Sequence, residues 1–148
     1  MDELRELYQQ IILEHYRNPR NAGDLPGATH RAEGDNPLCG DHITVALRIV
    51  DGKIEEIRFK GNGCAISQAS ASVMTTVVKG KTVEEAERLF ELFHAVVAGE
   101  TVPDLQALGS LAAFAGVREF PSRVKCATLA WHTLRAALRN VPEAITTE

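Results

Sequence analysis

The sequence predicts an α+β domain with helices packed on one face of a small antiparallel sheet of about three strands. Hydrophobic residues alternate with a period of two only within residues 29–60, whereas the three-and-four spacing of helices occurs on both sides of that segment. The turn dipeptide Asp51-Gly52 lies between two of the predicted strands. Consecutive strands followed mainly by helices are typical of the α+β class.

The chain begins with a predicted amphipathic helix that Asp2 can cap and that ends at Asn18-Pro19. The apolar residues of this helix are Leu4, Leu7, Tyr8, Ile11, Ile12 and Tyr16. Residues 20–34 are rich in Gly, Pro, Asn and Asp, which predicts a loop with a short strand at about residues 29–32.

A β-hairpin is predicted next. Aliphatic residues alternate with mostly polar ones over residues 42–49, and Asp51-Gly52 suits a tight primed turn because Gly accepts a positive φ. Residues 53–60 form the returning strand. The alternation slips between Ile54 and Ile57, which predicts a β-bulge there.

Two helices are predicted after the hairpin. Residues 65–79 begin with a run of small side chains, which allow a helix to pack closely. The segment from Thr82 to Glu85 has the form of a capping box and opens a second amphipathic helix that ends near residue 98.

The C-terminal third is less regular before its last helix. Residues 102–119 predict one or two short helices around Gly109 and Gly116. A final helix is expected to start at Pro121, since Pro suits a first turn, and residues 141–148 are expected to be a frayed tail.

Composition limits the class of protein. The 148 residues predict a single domain over residues 1–148, and 45% hydrophobic with 24% charged residues is ordinary for a globular chain. A net charge of −4 argues against a nucleic-acid partner. We see neither a secretion signal nor an apolar run of about 18 residues, so we expect a cytoplasmic protein without a membrane partner.

The three cysteines, Cys39, Cys64 and Cys126, are the most informative residues. An odd number cannot form a complete disulfide framework, and a reducing compartment keeps thiols free. Buried structural thiols usually fall inside apolar periodic segments, whereas these three lie at boundaries of predicted elements. This placement favours a shared thiolate site.

Local chemistry supports that hypothesis. Cys39 and Asp41 are two residues apart in an extended segment, so their side chains can face the same point. Cys64 follows a glycine-rich loop at the start of a helix, where unpaired N–H groups and the helix dipole lower the pKa of a thiol. Cys126 also lies near the start of a predicted helix, and the helix start and the flanking Arg123 and Lys125 favour its thiolate form.

Three thiolates and one carboxylate give the four ligands that a tetrahedral zinc or a cluster iron requires. Such a site carries a net negative charge, which neighbouring cations would offset. Arg123 and Lys125 precede Cys126 and are candidates for that role, Arg123 also as a hydrogen-bond donor to a ligand. Each of the five histidines, His15, His30, His42, His94 and His132, is expected to be a surface or core residue.

The cysteine segments resemble a known family. They read NPLCGD at residues 36–41, GNGCAISQAS at residues 61–70 and RVKCATLAW at residues 123–131. In this order they resemble the three cysteine motifs of the NifU/IscU-like iron–sulfur cluster assembly family, and most closely its SufU branch. Members of the IscU branch carry a His where this chain has Lys125, lack a segment like residues 102–119, and have a Leu-Pro-Pro-Val-Lys chaperone motif that residues 120–125 do not match.

The resemblance implies a SufE/NifU-like α+β fold that binds Zn²⁺ through Cys39, Asp41, Cys64 and Cys126. It also implies a sulfur acceptor, a zinc-dependent sulfurtransferase activity, that takes persulfide sulfur from a SufS-like cysteine desulfurase and passes it to the cluster-building machinery. Cys39 is the predicted persulfide acceptor, because its Pro- and Gly-flanked loop can move.

Two alternatives stay open. The same residues, holding iron, could form a scaffold on which a [2Fe–2S] cluster is assembled and transferred to apo-proteins, since three thiolates and a carboxylate suit zinc and iron alike. A purely structural zinc domain predicts no sulfur loading. A hydrolytic zinc enzyme is disfavoured, because four protein ligands leave no position for a reactive water.

Overall fold

The computed structural model describes residues 2–37, 39–99, 108–140 and 145–146. Its helices are α1 (Asp2–Arg17), α2 (Ala65–Val78), α3 (Val83–Val97), a 3-10 helix (Gly109–Glu119) and α4 (Pro121–Leu138). Its strands are β1 (His30–Asn36), β2 (Asp41–Val50), β3 (Lys53–Asn62) and β4 (Ile145–Thr146). The four strands form one sheet in the order β3-β2-β1-β4.

The antiparallel sheet β1-β2-β3 confirms the predicted fold class. The hairpin turn has positive φ at both Asp51 and Gly52, as a primed turn requires. Arg48 pairs with Glu56 and the next residue of β2 pairs with Ile54, so Glu55 is the extra residue of a bulge. The slipped alternation therefore marked a real bulge.

Two residues of the predicted tail form a short strand. Ile145 and Thr146 pair in parallel with Gly34 and Asp35 of β1, and Ile145 packs against the core. Partial burial of the Ile145 side chain stabilises the pairing of this short segment with β1. Residues 141–144 and 147–148 lie outside the described residues.

The core lies between one face of the sheet and the helices. Ile43, Val45 and Leu47 of β2 are completely buried, as two-residue alternation requires. The small residues of α2 let it approach α4 closely, and the Ser70 hydroxyl donates to the Ala127 carbonyl over 2.6 Å. These contacts place α2 and α4, which carry two of the cysteines, side by side.

The segment before α4 differs from the predicted short helices. Residues 101–107 lie outside the described residues, and Gly109–Glu119 is a 3-10 helix. The large buried apolar residues of this helix and its N-cap recur every third position, at Leu108, Leu111, Phe114 and Val117. That period of three matches 3.0 residues per turn and was present in the sequence. The capping box at Thr82 and Glu85, by contrast, is confirmed.

A histidine in the helical layer makes the fold sensitive to acid. Burial, together with the neighbouring His94 and Arg135, lowers the pKa of His132 from 6.5 to about 4. Between these pH values the unfolded chain binds more protons than the folded one, so stability is lost as the pH falls from 6.5 towards 4.

We therefore expect His132→Gln to reduce the acid sensitivity of folding. The pKa shift of His132 alone corresponds to at most about 3 kcal/mol of the free energy of unfolding. Solvent screening of the half-buried ring reduces this contribution to about 1 kcal/mol. Urea unfolding of both proteins at pH 7 and pH 4.5 measures the difference. An equal loss of stability in the two proteins would contradict the assignment to His132.

Among the described helices, none combines the length and the apolar composition that a membrane crossing needs.

Candidate metal centre

The predicted site residues meet at one end of the sheet. Cys39 lies in the turn between β1 and β2, and Asp41 is the first residue of β2. Cys64 is separated from the end of β3 by Gly63 and is the N-cap of α2, while Cys126 lies in the second turn of α4. Residues far apart in sequence are therefore brought together by the hairpin and by the packing of α2 against α4.

Three of the four residues form a compact triad. One ligand atom each of Cys39, Asp41 and Cys126 lies within 4.8 Å of the others. The Cys126 thiol donates to the Cys39 Sγ over 3.5 Å and contacts the Ser122 carbonyl oxygen at the same distance. The triad contains two sulfur ligands and one carboxylate.

Cys64 lies beside this triad, against its carboxylate. The Cys64 backbone N–H donates to Asp41 Oδ1 over 2.8 Å, and the Cys64 Sγ lies 3.9 Å from Asp41 Oδ2. The Ser67 backbone N–H donates to the Cys64 Sγ over 3.5 Å, which is the capping contact of α2. The helix N-terminus thus faces the sulfur, as the sequence predicted.

The distances within the triad are close to those around a tetrahedral ion, whereas Cys64 lies outside this group of mutually close ligand atoms. A zinc–sulfur bond of about 2.3 Å places two sulfur ligands of a tetrahedron roughly 3.8 Å apart. The distance between the sulfurs of Cys39 and Cys126 is 3.5 Å, and Cys64 lies 3.9 Å from the carboxylate. Three sulfurs and a carboxylate suit both zinc and iron.

Exposure differs strongly among the cysteines. Cys126 is completely buried and Asp41 is 2% exposed, whereas Cys64 is half-buried and Cys39 is exposed. Cys39 lies in a turn in which its N–H donates to the Asn36 carbonyl, and its sulfur contacts that of Cys126. Among these cysteines, Cys39 is therefore the one that a reagent or a partner protein reaches most easily.

The environment of Cys126 corrects one expectation. Burial raises the pKa of the Cys126 thiol, and the neighbouring Cys39, Cys64 and Asp41 raise it further. The sequence predicted the opposite, from the helix start and the nearby cations. Desolvation and the negative neighbours outweigh those effects, so without a bound cation this thiol keeps its proton.

The two predicted counter-charges, Arg123 and Lys125, lie in the first turns of α4, before Cys126. Arg123 is exposed and Lys125 is half-buried. Within the described part of the chain, neither side chain forms a hydrogen bond or ion pair with Asp41 or with a cysteine. Their role as charges beside the site stays a prediction.

Asn36 is a site residue that the sequence analysis did not single out. Its side chain is completely buried, and its Nδ2 donates to the Cys126 Sγ over 3.9 Å. The residue opens the NPLCGD segment, so its position beside Cys39 was visible, but its contact with a cysteine 90 positions away was not.

Gly63 lets the chain pass close to Asp41. Its φ is +148°, and a Cβ built there would overlap the Asp41 carboxylate. We expect Gly63→Ala to weaken metal binding about 10- to 100-fold and to cost about 1–3 kcal/mol of stability, because Asp41 must move. Competition of the protein with a chromophoric zinc chelator measures the affinity.

Gly23→Ala is a matched control, since Gly23 has a φ of +120° and open space around its Cβ position. The Gly23→Ala variant should be less stable than wild type but should bind zinc with the same affinity. Equal affinity losses in the two variants would show that backbone strain, and not the contact with Asp41, is responsible.

The fold and the site together define a small α+β protein with a thiolate-rich candidate metal centre. The chain belongs to the NifU-like N-terminal domain family, whose model matches residues 7–127. The resemblance predicted from the cysteine segments is thus confirmed.

Named relatives represent both predicted activities. The zinc-dependent sulfurtransferase SufU of Bacillus subtilis is 42% identical over 131 residues, which cover 88% of each chain. The iron–sulfur cluster assembly scaffold protein IscU of Streptococcus pyogenes is 40% identical over 144 residues, covering 97% of this chain and 90% of the relative.

A crystal structure supports the same relationship. A SufU from Fervidobacterium islandicum, described as an iron–sulfur cluster assembly scaffold protein for the SUF system, superposes with a TM-score of 0.83 at 35% identity. The match covers 90% of this chain and 98% of that one. These relationships confirm the predicted assignment to iron–sulfur cluster assembly.

Proposed function

We propose that the protein is a zinc-bound sulfur acceptor that takes persulfide sulfur from a cysteine desulfurase. The observation that carries this proposal is the exposed Cys39, placed 3.5 Å from the buried Cys126 in a candidate metal centre. An accessible thiol at the rim of an otherwise buried site suits transfer between two proteins. The SufU relative, named a zinc-dependent sulfurtransferase, supports the same activity.

The transfer step is a thiol exchange. The Cys39 thiolate attacks the outer sulfur of the desulfurase persulfide, and a sulfur–sulfur bond forms on Cys39. The sulfur–sulfur bond in the desulfurase breaks, and its cysteine leaves as a thiolate. No oxidant or reductant is consumed, because the transferred sulfur keeps its oxidation state.

The residues that would hold zinc are Cys39, Asp41, Cys64 and Cys126. When bound, zinc stabilises deprotonated thiols and ties the segments of the site together. The raised pKa of Cys126 indicates how much the buried thiol depends on a cation for that form. Arg123 and Lys125 add positive charge nearby.

The partner that this chemistry requires is a SufS-like cysteine desulfurase. Downstream recipients are iron–sulfur assembly proteins or apo-proteins. We place the reaction in the cytoplasm, where thiols stay reduced and can exchange.

A scaffold for a [2Fe–2S] cluster is the second candidate, favoured by the relative named IscU at 40% identity. The same four residues would serve as cluster ligands. Lys125 and the segment at residues 102–119 favour the acceptor, because they depart from the IscU-like pattern in the manner of the SufU branch.

Metal analysis of protein purified without reconstitution, followed by a desulfurase assay, separates the two functions. Retained zinc together with faster desulfurase turnover would support the acceptor. A stable visible-absorbing cluster that forms with iron, sulfide and desulfurase and passes intact to an apo-ferredoxin would support the scaffold. Bound zinc with neither sulfur loading nor faster turnover would indicate a structural zinc domain and overturn both.

A further inference from the structure

We infer that Asn36 is a positioning residue that holds the ligands of the candidate metal centre in place. The inference rests on the proposed function, because it concerns how a metal would be bound. Asn36 is the last residue of β1 and is completely buried, although its side chain is polar. Buried amides are normally explained by the groups to which they are hydrogen-bonded.

The side chain of Asn36 reaches the most deeply buried ligand. Its Nδ2 donates to the Cys126 Sγ over 3.9 Å, and both residues are completely buried. A metal-bound thiolate carries negative charge and can only accept hydrogen bonds. An amide N–H directed at the sulfur therefore stabilises the form of Cys126 that binds a metal and fixes the orientation of its side chain.

The backbone of Asn36 organises the other side of the site. Its carbonyl oxygen accepts from the Cys39 N–H over 3.2 Å and from the Gly40 N–H over 2.9 Å, which closes the turn that carries Cys39. In the sheet, Asn36 pairs with Asp41. One residue thus connects three of the four candidate ligands.

The amide is poorly suited to a purely structural role. Within the described part of the chain, Asn36 Oδ1 is buried and has no hydrogen-bond partner. An unpartnered buried carbonyl lowers folding stability, whereas an apolar side chain of similar shape does not. A structural role therefore predicts that a leucine would be harmless, and a role in metal binding predicts that it would not.

Asn36→Leu and Asn36→Ala test the inference. Both remove the amide donor, but leucine is larger than asparagine and alanine is smaller. Thr133→Val is the matched control. Thr133 is completely buried in α4 and packs over Gly34 of β1. Its hydroxyl donates a hydrogen bond to the Leu129 carbonyl. This control removes a buried polar atom from the same interface without touching the site.

The readouts are zinc affinity, measured by competition with a chromophoric chelator, and the sulfur-to-cobalt absorption of the Co²⁺-loaded protein. Both Asn36 variants should bind zinc about 10- to 100-fold more weakly and show altered cobalt spectra, whereas Thr133→Val stays within about threefold of wild type. The metal-free Asn36→Leu protein should melt at or above the wild-type temperature, because the unpartnered carbonyl is gone.

Wild-type zinc affinity in a folded Asn36→Leu protein would overturn the inference. So would an equal affinity loss in Thr133→Val, or a loss in only one of the two Asn36 variants when both fold, because packing would then explain it. If Asn36→Ala does not fold, Asn36→Leu decides alone. Wild-type protein that binds neither zinc nor cobalt would instead overturn the proposed function.

Discussion

Replacing Cys39 by serine is expected to reduce persulfide loading by a cysteine desulfurase to background while the protein stays folded. The side chain is exposed, so serine in its place leaves no cavity and buries no new polar group. Serine is a far weaker nucleophile than a thiolate at neutral pH, so the sulfur–sulfur bond does not form. Mass spectrometry of the intact protein, which detects the gain of one sulfur atom, measures the loading.

Cys126→Ser is the comparison that separates loss of the acceptor from loss of a ligand. It removes the buried member of the site but keeps the exposed thiol. We expect this variant to bind metal weakly and still to accept sulfur on Cys39. Full persulfide loading of Cys39→Ser, with the added sulfur mapped to Cys64 or Cys126, would contradict the assignment of Cys39 as the acceptor.

Local patterns in the sequence predicted the parts of the fold that depend on neighbouring residues. Strand alternation located β2 and β3, the slip at Ile54 and Ile57 located the bulge, and the Thr82–Glu85 capping box located the start of α3. Each signal arises from residues within about one turn or one hairpin of each other, where sterics and local hydrogen bonds dominate.

Features that depend on tertiary packing were missed or misjudged. The pKa of Cys126 is raised because α2, β1 and the Cys39 turn bury it, and no flanking residue reports that burial. Ile145 forms β4 by pairing with Gly34 of β1, a contact between residues far apart in the sequence. Asn36 meets Cys126 across 90 positions, a contact that spacing along the chain does not encode.

Cysteine placement was the exception, since it predicted a long-range assembly from local information. Cys39, Cys64 and Cys126 lie at or near ends of elements, and the ends of β1 and β3 and the start of α4 meet at one end of the sheet. Loop and terminal positions can turn side chains towards a common point, which residues inside a packed element cannot do freely. The position of the cysteines at element boundaries therefore predicted that they share a site.

Removal of the metal is expected to produce the largest change in stability. Binding to the folded chain alone adds about 4 kcal/mol when the free ion is at 1,000 times its Kd, which raises the Tm of a chain of this size by about 8–16 °C. We expect zinc-loaded protein to lose a shift of this order after dialysis against a chelator. Calorimetry before and after dialysis, with zinc added back to a third sample, measures it.

The four segments that meet at the site explain why the effect is large. In the proposed site, a single ion would tie together the Cys39 turn, the start of β2, the N-terminus of α2 and the second turn of α4. The direct links between these segments are weaker than metal bonds, since the sulfurs of Cys39 and Cys126 lie 3.5 Å apart and Asp41 is buried among thiols. Cys64→Ser should then show most of the loss without a chelator, because a site with three ligands binds zinc less tightly. A chelated wild type that melts at the same temperature as the zinc-loaded protein would contradict a role for the ion in folding.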